Sequence, residues 1–140
     1  MPNWCENTVV IQGSEKDQKF MLLTRKLSRL INSKANIFQA FVPRPKEEDD
    51  NWYDWNCTNW GCKWDINDYI DFEECDSDAI KLRFDTAWSP PSAFLKTLAK
   101  KYPSIHFRMR STEPGVGFEY LLEIRDGEVT FEESRDYWEL

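Results

Sequence analysis

The sequence lacks most of the motifs by which enzymes and membrane proteins are identified. It contains a single histidine, His106, and only 5 glycines in 140 residues. Its one close glycine pair is not followed by a helical pattern, which argues against a phosphate-binding loop. No nucleophile elbow and no His-Glu-x-x-His motif occur. No apolar run approaches the roughly 18 residues that a membrane-spanning helix needs.

The spacing of the cysteines is poor for metal binding. Of the 4 cysteines, only Cys57 and Cys62 are close enough to form half of a zinc site, whereas structural zinc sites have two tight ligand pairs. Cys5 and Cys75 stand alone. The start of the chain lacks the basic and apolar regions of a signal peptide, so we expect a cytoplasmic location and reduced thiols. We expect no metal and no cofactor.

Aromatic and acidic residues are abundant, and both concentrate in one segment. Aromatics make up 15% of the chain and include 7 tryptophans, which excludes a disordered chain. The net charge is -7, and residues 46–78 hold 12 acids against 2 bases. A generic nucleic-acid binder has the opposite bias, so a nucleic-acid partner is disfavoured. The segment is expected to attract a basic surface, or else to be a solvated loop that maintains solubility.

Hydrophobic periodicity predicts alternating strands and helices. The predicted strands are 8–11, 36–42, 80–84, 105–109, 118–124 and 129–131, and the predicted helices are 15–32 and 89–102. His106 lies on the polar side of its strand, which predicts a solvated imidazole. Asp126-Gly127 is a hairpin signal, and the tail residues Tyr137 and Trp138 are expected to pack back on the domain.

Strand–helix–strand followed by strand–helix–strand is the split βαβ plan of ferredoxin-like domains. We therefore predict an α+β fold, with a mainly antiparallel sheet, two helices on one face and an added C-terminal hairpin. The whole chain, 1–140, is predicted to be one domain. An acidic, tryptophan-rich insertion, about 46–78, is expected between the second and third strands.

The insertion carries the densest group of candidate binding residues. Tryptophans at this spacing can form a platform that stacks on bases or sugars, or a cage that holds a cation. Lys63 or Arg83 is available for an anionic group. The alternative is that these rings form a small core that attaches the insertion to the sheet. The candidate binding residues are Trp52, Tyr53, Trp55, Asn59, Trp60, Lys63, Trp64, Asp65 and Trp88.

Three motifs resemble a known family. They are Met1-Pro2-Asn3-Trp4-Cys5-Glu6-Asn7, Trp60-Gly61-Cys62-Lys63-Trp64-Asp65 and Phe84-Asp85-Thr86-Ala87-Trp88-Ser89-Pro90-Pro91. In this order they are similar to the YubB-like family of small proteins encoded by phages and plasmids. The resemblance implies a ferredoxin-like domain, a mobile-element origin and action in a bacterial cytoplasm. It implies no reaction and no ligand.

Two functional hypotheses follow. The first is a non-enzymatic binding or inhibitor protein, such as a counter-defence or anti-CRISPR-like protein, whose acidic surface imitates nucleic acid on a basic host protein. The second is a small-ligand module that holds a nucleotide or sugar among the tryptophans. An enzyme using carboxylates such as Asp65 or Asp85 has only composition in its favour. The predicted acidic surface comprises Glu47, Glu48, Asp49, Asp50, Asp71, Glu73, Glu74, Asp76 and Asp78.

Overall fold

The computed structural model describes residues 3–66 and 69–136, and its six strands form one sheet. The strands are β1 (Trp4–Gln12), β2 (Asp71–Asp76), β3 (Ala79–Ala87), β4 (His106–Glu113), β5 (Phe118–Arg125) and β6 (Glu128–Asp136). The helices are α1 (Gln18–Asn32), α2 (Ile37–Phe41), α3 (Trp52–Asn59) and α4 (Ser92–Lys101), with a 3₁₀ helix at Lys46–Asn51. Tyr137 and Trp138 lie outside the described residues.

The strand order is β2-β3-β1-β4-β5-β6, and every neighbouring pair is antiparallel. In the first four strands, β3 lies between β1 and β2, and β1 lies between β3 and β4. Helices α1 and α4 make the two crossovers, which is the ferredoxin-like arrangement. The predicted fold class is therefore confirmed. Strands β5 and β6 extend the sheet, joined by Asp126 and Gly127, both at positive φ as a tight hairpin turn requires.

One face of the sheet is buried and the other is open. Alternate residues of β1, such as Val9 and Ile11, are buried, as the period of two in a strand requires. Helix α1 covers this face with an apolar stripe at helical spacing that includes Leu23 and Leu27. Asp17 caps the same helix, because its side chain accepts the backbone N–H of Lys19.

The predicted strand at 36–42 is wrong, because this segment contains helix α2. Ile37, Phe38 and Phe41 are all buried, and their spacing matches one face of a helix better than alternation. The second strand of the fold is β2, Asp71–Asp76, which falls inside the predicted insertion.

The insertion therefore has a different place in the chain. The extra segment lies between α1 and β2, inside the first crossover, and only a two-residue turn separates β2 from β3. Residues 71–76 belong to the sheet rather than to the insertion. The longest described helix, α1, has 15 residues, and none of the described helices has the length and apolar character that a bilayer crossing requires.

Candidate functional site

Part of the tryptophan cluster is a core that attaches the inserted segment to the sheet. Trp60 is buried, and its indole Nε1 donates to the carbonyl oxygen of Val42 at 2.9 Å. Its ring packs against Phe38 at a centroid distance of 5.7 Å and edge-on against Trp55 at 5.6 Å. The buried indole thus finds both apolar contacts and the hydrogen-bond acceptor that it needs. Trp60 and Trp55 are mainly structural.

A second pair of indoles holds a cation that belongs to the chain itself. The Nζ atom of Lys63 lies 4.4 Å from the ring centroid of Trp64 and 4.9 Å from that of Trp88. Both distances are in the range of cation–π attraction. The backbone of Trp88 is left-handed, with φ of 71°, and its N–H donates to the carbonyl of Asn3 at 2.9 Å. Trp64 and Trp88 thus contact the chain's own Lys63, and a cage for an external cation stays a prediction.

The three motifs quoted for the family resemblance meet at one junction. Gly61 has φ of +91°, and a Cβ there would lie 3.0 Å from the Pro90 carbonyl oxygen and from the Ser92 backbone nitrogen. Only glycine satisfies both requirements. Ser89 Oγ donates to the carbonyl of Gly61 at 2.7 Å. The contacts among these motifs join the inserted segment to the start of α4, which is a structural role.

Asp65 is a helix cap rather than an exposed ligand. Its carboxylate accepts the backbone N–H groups of Phe38, Gln39 and Ile66, each at 2.8 Å. Burial raises the pKa of Asp65 above its ordinary value, and the three donated hydrogen bonds oppose that rise. The carboxylate fixes the start of α2 against the segment that follows α3.

An open cleft of about 500 Å³ lies between α2 and α3. Of the predicted binding residues, the cleft brings together Trp52, Trp60, Trp64 and Asp65. The other predicted binding residues, Tyr53, Trp55, Asn59, Lys63 and Trp88, are not among its lining residues. The remaining lining residues are Asn36, Gln39, Arg44, Lys46, Asp49 and Asn56. Of these six, only Asp49 was predicted from the sequence as part of a binding surface. The sequence feature that could have indicated the missed cleft residues is the pair of bases in Arg44-Pro45-Lys46, just before the acidic run.

The predicted acidic surface is divided between two elements. Glu47, Glu48, Asp49 and Asp50 belong to the 3₁₀ helix, whereas Asp71, Glu73, Glu74 and Asp76 belong to β2, with Asp78 in the turn that follows. Asp49 approaches Arg44 at 3.5 Å and Asp71 approaches Arg83 at 3.5 Å. Within the described ranges, no Lys, Arg or His nitrogen lies within 4.0 Å of a carboxylate oxygen of the other seven acids.

Asp76 and Asp78 interact closely at the end of β2. Their shared side-chain hydrogen bond raises the pKa of Asp78 and lowers that of Asp76. Two carboxyl groups in contact cannot both ionise freely, so one holds a proton for the other. In the pH range in which they titrate, Asp76 and Asp78 therefore carry less negative charge together than two isolated carboxylates.

Two exposed aromatic rings directly follow the acids of the 3₁₀ helix. Trp52 is 37% exposed and Tyr53 is 42% exposed, and their rings meet edge-on with centroids 5.9 Å apart. We call Glu47, Glu48, Asp49, Asp50, Trp52 and Tyr53 the acidic–aromatic surface. It combines accessible negative charge with two side chains of the kind that anchor protein interfaces.

Comparison with known proteins places this fold in a family. Residues 59–138 match the family model described as the ferredoxin-like domain in Api92-like protein. The chain belongs to this family. No curated protein matches it. The YubB-like assignment stays a prediction.

A solved structure has the same fold. The crystal structure of the protein api92 from Yersinia pseudotuberculosis matches with a TM-score of 0.60 and 17% sequence identity, over 71% of this chain and 39% of that chain. At this identity the likeness concerns the fold alone. The chain thus spans well under half the length of that Api92 protein.

In the described part of this Api92-like domain, the side chains that could ligate a metal are dispersed. Over residues 3–66 and 69–136, no group of three or more His, Cys, Asp or Glu side chains is arranged to hold a metal ion. Cys5 and Cys62 are buried while Cys57 and Cys75 are exposed. Burial raises the pKa of the Cys5 thiol to about 12 and raises that of Cys62 as well, so both are protonated at neutral pH.

His106 is not the solvated side chain that its strand position predicted. It is half-buried, and its Nε2 lies 2.9 Å from Oε1 of Glu123 on the neighbouring strand β5. Burial is the main cause that lowers the pKa of His106, and the nearby Arg125 adds to it. The carboxylate occupies one ring nitrogen, so the imidazole has a structural partner.

Replacing Asp65 with asparagine is expected to change how stability depends on pH. The pKa of Asp65 is raised above 3.8 on folding, so the folded state holds more protons than the unfolded state just above that pH. Its ionisation therefore reduces stability as pH rises through the folded pKa, and Asp65→Asn removes this contribution. Urea unfolding at several acidic to neutral pH values measures it.

The comparison of interest is the free energy of unfolding of wild type minus that of Asp65→Asn. This difference in free energy should decrease as pH rises. It also includes a constant penalty for the variant, because the asparagine NH₂ group faces a backbone N–H donor. Asp54→Asn, an exposed change on α3, is the control. A difference that is constant or increases with pH contradicts the assignment.

Proposed function

We propose that this protein is a non-enzymatic binding protein of a phage or plasmid that occupies a basic surface on a host protein in the bacterial cytoplasm, as a counter-defence inhibitor does. The observation that carries the proposal is the acidic–aromatic surface. Three of its four acids have no ion-pair partner within the described residues, and two exposed rings follow them directly. The mobile-element origin rests on the three sequence motifs.

Charge and aromatic area have different roles in such a contact. Unpaired carboxylates attract a positively charged partner over several ångströms and raise the association rate, an effect that salt weakens. Trp52 and Tyr53 then supply buried area and slow dissociation, because aromatic side chains contribute most of the binding energy at many interfaces. A patch of this composition favours a protein partner with lysines and arginines around an apolar spot.

The acids of β2 have another explanation. β2 is an edge strand, and charged side chains on an edge discourage pairing with a second chain. Glu73 and Glu74 are exposed and lie on that strand. They provide an internal comparison, since they are exposed carboxylates like those of the 3₁₀ helix but have no adjacent Trp or Tyr ring.

Direct binding of nucleic acid through the sheet is less well supported. On the sheet, Arg83 lies 3.5 Å from Asp71, and Arg110 lies 2.6 Å from Glu119. Glu119 also contacts Arg135 at 3.2 Å. These carboxylates would compete with phosphates for the same donors.

Affinity capture with charge-neutralised variants tests the proposal. Wild-type protein is immobilised, a captured host protein is identified and purified, and its dissociation constant is measured against each variant. Glu47→Gln, Glu48→Gln, Asp49→Asn and Asp50→Asn combined should weaken binding by about tenfold or more at low salt. Raising the salt concentration should weaken wild-type binding and have less effect on the variant.

The matched control also neutralises four acids, and it combines Glu73→Gln, Glu74→Gln and Asp76→Asn on β2 with Asp78→Asn in the turn that follows. It is expected to retain wild-type affinity within about twofold, since no aromatic anchor adjoins those acids. Equal losses in the two variants would indicate a non-specific charge effect and contradict the assignment to the acidic–aromatic surface. Unchanged binding by the first variant would contradict charge mimicry altogether.

A further inference from the structure

The guanidinium of Arg44 lies in the cleft between α2 and α3, and its neighbours satisfy only part of its hydrogen-bonding groups. Arg44 Nη1 donates to Oδ1 of Asn56 at 2.9 Å, and the nearest carboxylate oxygen, on Asp49, is 3.5 Å from Nε. Nε is buried and has no hydrogen-bond partner within the described part of the chain. The Arg44 side chain as a whole is 24% exposed, and a phosphate that reaches its guanidinium from the cleft would form charge-assisted hydrogen bonds stronger than the long contact with Asp49.

The position of Arg44 is fixed by the inserted segment. Its backbone N–H donates to Oε1 of Gln39 at 3.1 Å, and its carbonyl accepts from Nε2 of the same side chain at 3.4 Å. Asn56, which accepts the guanidinium, is itself buried and donates to the carbonyl of Lys63 at 2.9 Å. The charged group is therefore held in place before any ligand arrives, which lowers the entropic cost of binding.

The same cleft has the surfaces that a planar ring requires. Trp52 and Trp64 both line it, and an indole offers a flat face on which nucleobases stack. Asn36 also lines the cleft, and its side chain makes no capping hydrogen bond to α2. Its amide offers one donor and one acceptor group. The cleft volume, about 500 Å³, lies in the range of small-molecule sites.

We infer that this cleft binds a nucleoside monophosphate, with the phosphate between Arg44 and Lys46 and the base against Trp52 or Trp64. Two cations that line the cleft match a phosphate, and the indoles and the Asn36 amide match a base. The lining also includes the carboxylates of Asp49 and Asp65. Asp65 is committed to three backbone N–H groups, whereas Asp49 competes directly with the phosphate for Arg44.

Titration with AMP, followed by the indole N–H signals in ¹H–¹⁵N NMR spectra, tests the inference. The signals of Trp52 and Trp64 should shift in a saturable way at millimolar AMP. Adenosine and inorganic phosphate, titrated separately, should each bind more weakly than AMP. If phosphate binds as well as AMP, recognition of the base is wrong, and if adenosine does, the role of Arg44 and Lys46 is wrong.

Paired variants locate the contacts. Trp52→Leu should weaken AMP binding at least about fivefold, as loss of one stacking partner does, whereas Phe131→Leu, at an exposed ring on β6 outside the cleft, should not. Lys46→Gln should weaken it about threefold to fivefold, and Lys100→Gln, on the exposed end of α4, should not. The spectrum of each variant reports whether it is folded. No saturable shift in wild type, or equal effects within either pair, overturns the inference.

Asp49→Asn separates this inference from the proposed function. It should strengthen AMP binding, because it removes the carboxylate that competes for Arg44, by a factor comparable to the loss in Lys46→Gln. The same change should weaken, or leave unchanged, the capture of a basic protein. AMP binding that weakens in Asp49→Asn would contradict the placement of the phosphate, whatever the outcome of the capture experiment.

Discussion

Phe38→Ala is expected to lower the free energy of unfolding by about 3–5 kcal/mol, the usual cost of truncating a buried aromatic ring. The side chain of Phe38 is 0% exposed. Its ring centroid lies 4.4 Å from that of Phe94 on α4, 5.7 Å from Trp60 and 6.3 Å from Phe84 on β3. One ring thus joins the inserted segment, a crossover helix and the sheet, and alanine would leave a cavity among all of them.

Urea unfolding followed by circular dichroism measures this loss. A domain of this size has a total stability of about 5–15 kcal/mol, so the variant is expected to have a much lower unfolding midpoint or to be partly unfolded without denaturant. Phe131→Ala is the matched control, since Phe131 is 45% exposed on β6, and its cost should stay below about 1 kcal/mol. Similar losses in the two variants would contradict the central role of Phe38.

Asn7→Ala is expected to cost on the order of 3 kcal/mol, because it leaves several buried polar groups without partners. Asn7 is buried in β1, between β3 and β4. Its Nδ2 donates to Oγ1 of Thr86 at 2.9 Å and to the carbonyl of Phe84 at 3.3 Å. Its Oδ1 accepts from Oγ of Ser111 at 2.7 Å. The side chain thereby links β1 to both of its neighbours, β3 and β4.

A double-mutant cycle with Ser111→Ala measures how much of that cost belongs to the network. The double variant should be more stable than the sum of the single losses predicts, because Ser111→Ala removes one of the groups left unpaired by Asn7→Ala. Gln12→Ala, an exposed change at the other end of β1, should have little effect. Strict additivity in the cycle would contradict a coupled network.

Periodicity predicted most of the fold because most elements bury one face. Both crossover helices and four of the six strands, β1, β3, β4 and β5, bury apolar residues at the spacing of their element. β2 was missed since its sequence, Asp-Phe-Glu-Glu-Cys-Asp, is almost entirely polar, as an edge strand permits. Helix α2 was mistaken for a strand because five residues are too few to separate the two periods. Tertiary contacts of Phe38 and Phe41, rather than local propensity, determine its conformation.

The candidate site was predicted less completely, for a different reason. A run of tryptophans predicts aromatic contacts but not whether the rings face inward or outward. The structure buries Trp60, places Lys63 between Trp64 and Trp88, and leaves Trp52 and Tyr53 exposed. The participation of Arg44 depends on the hydrogen bonds of Gln39 and Asn56, which come from two different helices. The spacing of residues in the sequence does not indicate that side chains from two helices meet at Arg44.

The position of β1 at the centre of the sheet affects how the protein is made. β1 pairs only with β3 and β4, and translation of β3 begins at Ala79. At roughly 5–20 residues per second, the ribosome releases the first strand several seconds before its earliest partner. During that interval Val9 and Ile11 are without their final neighbours. The nascent chain is therefore expected to depend on chaperones for longer than one whose first two strands form a hairpin.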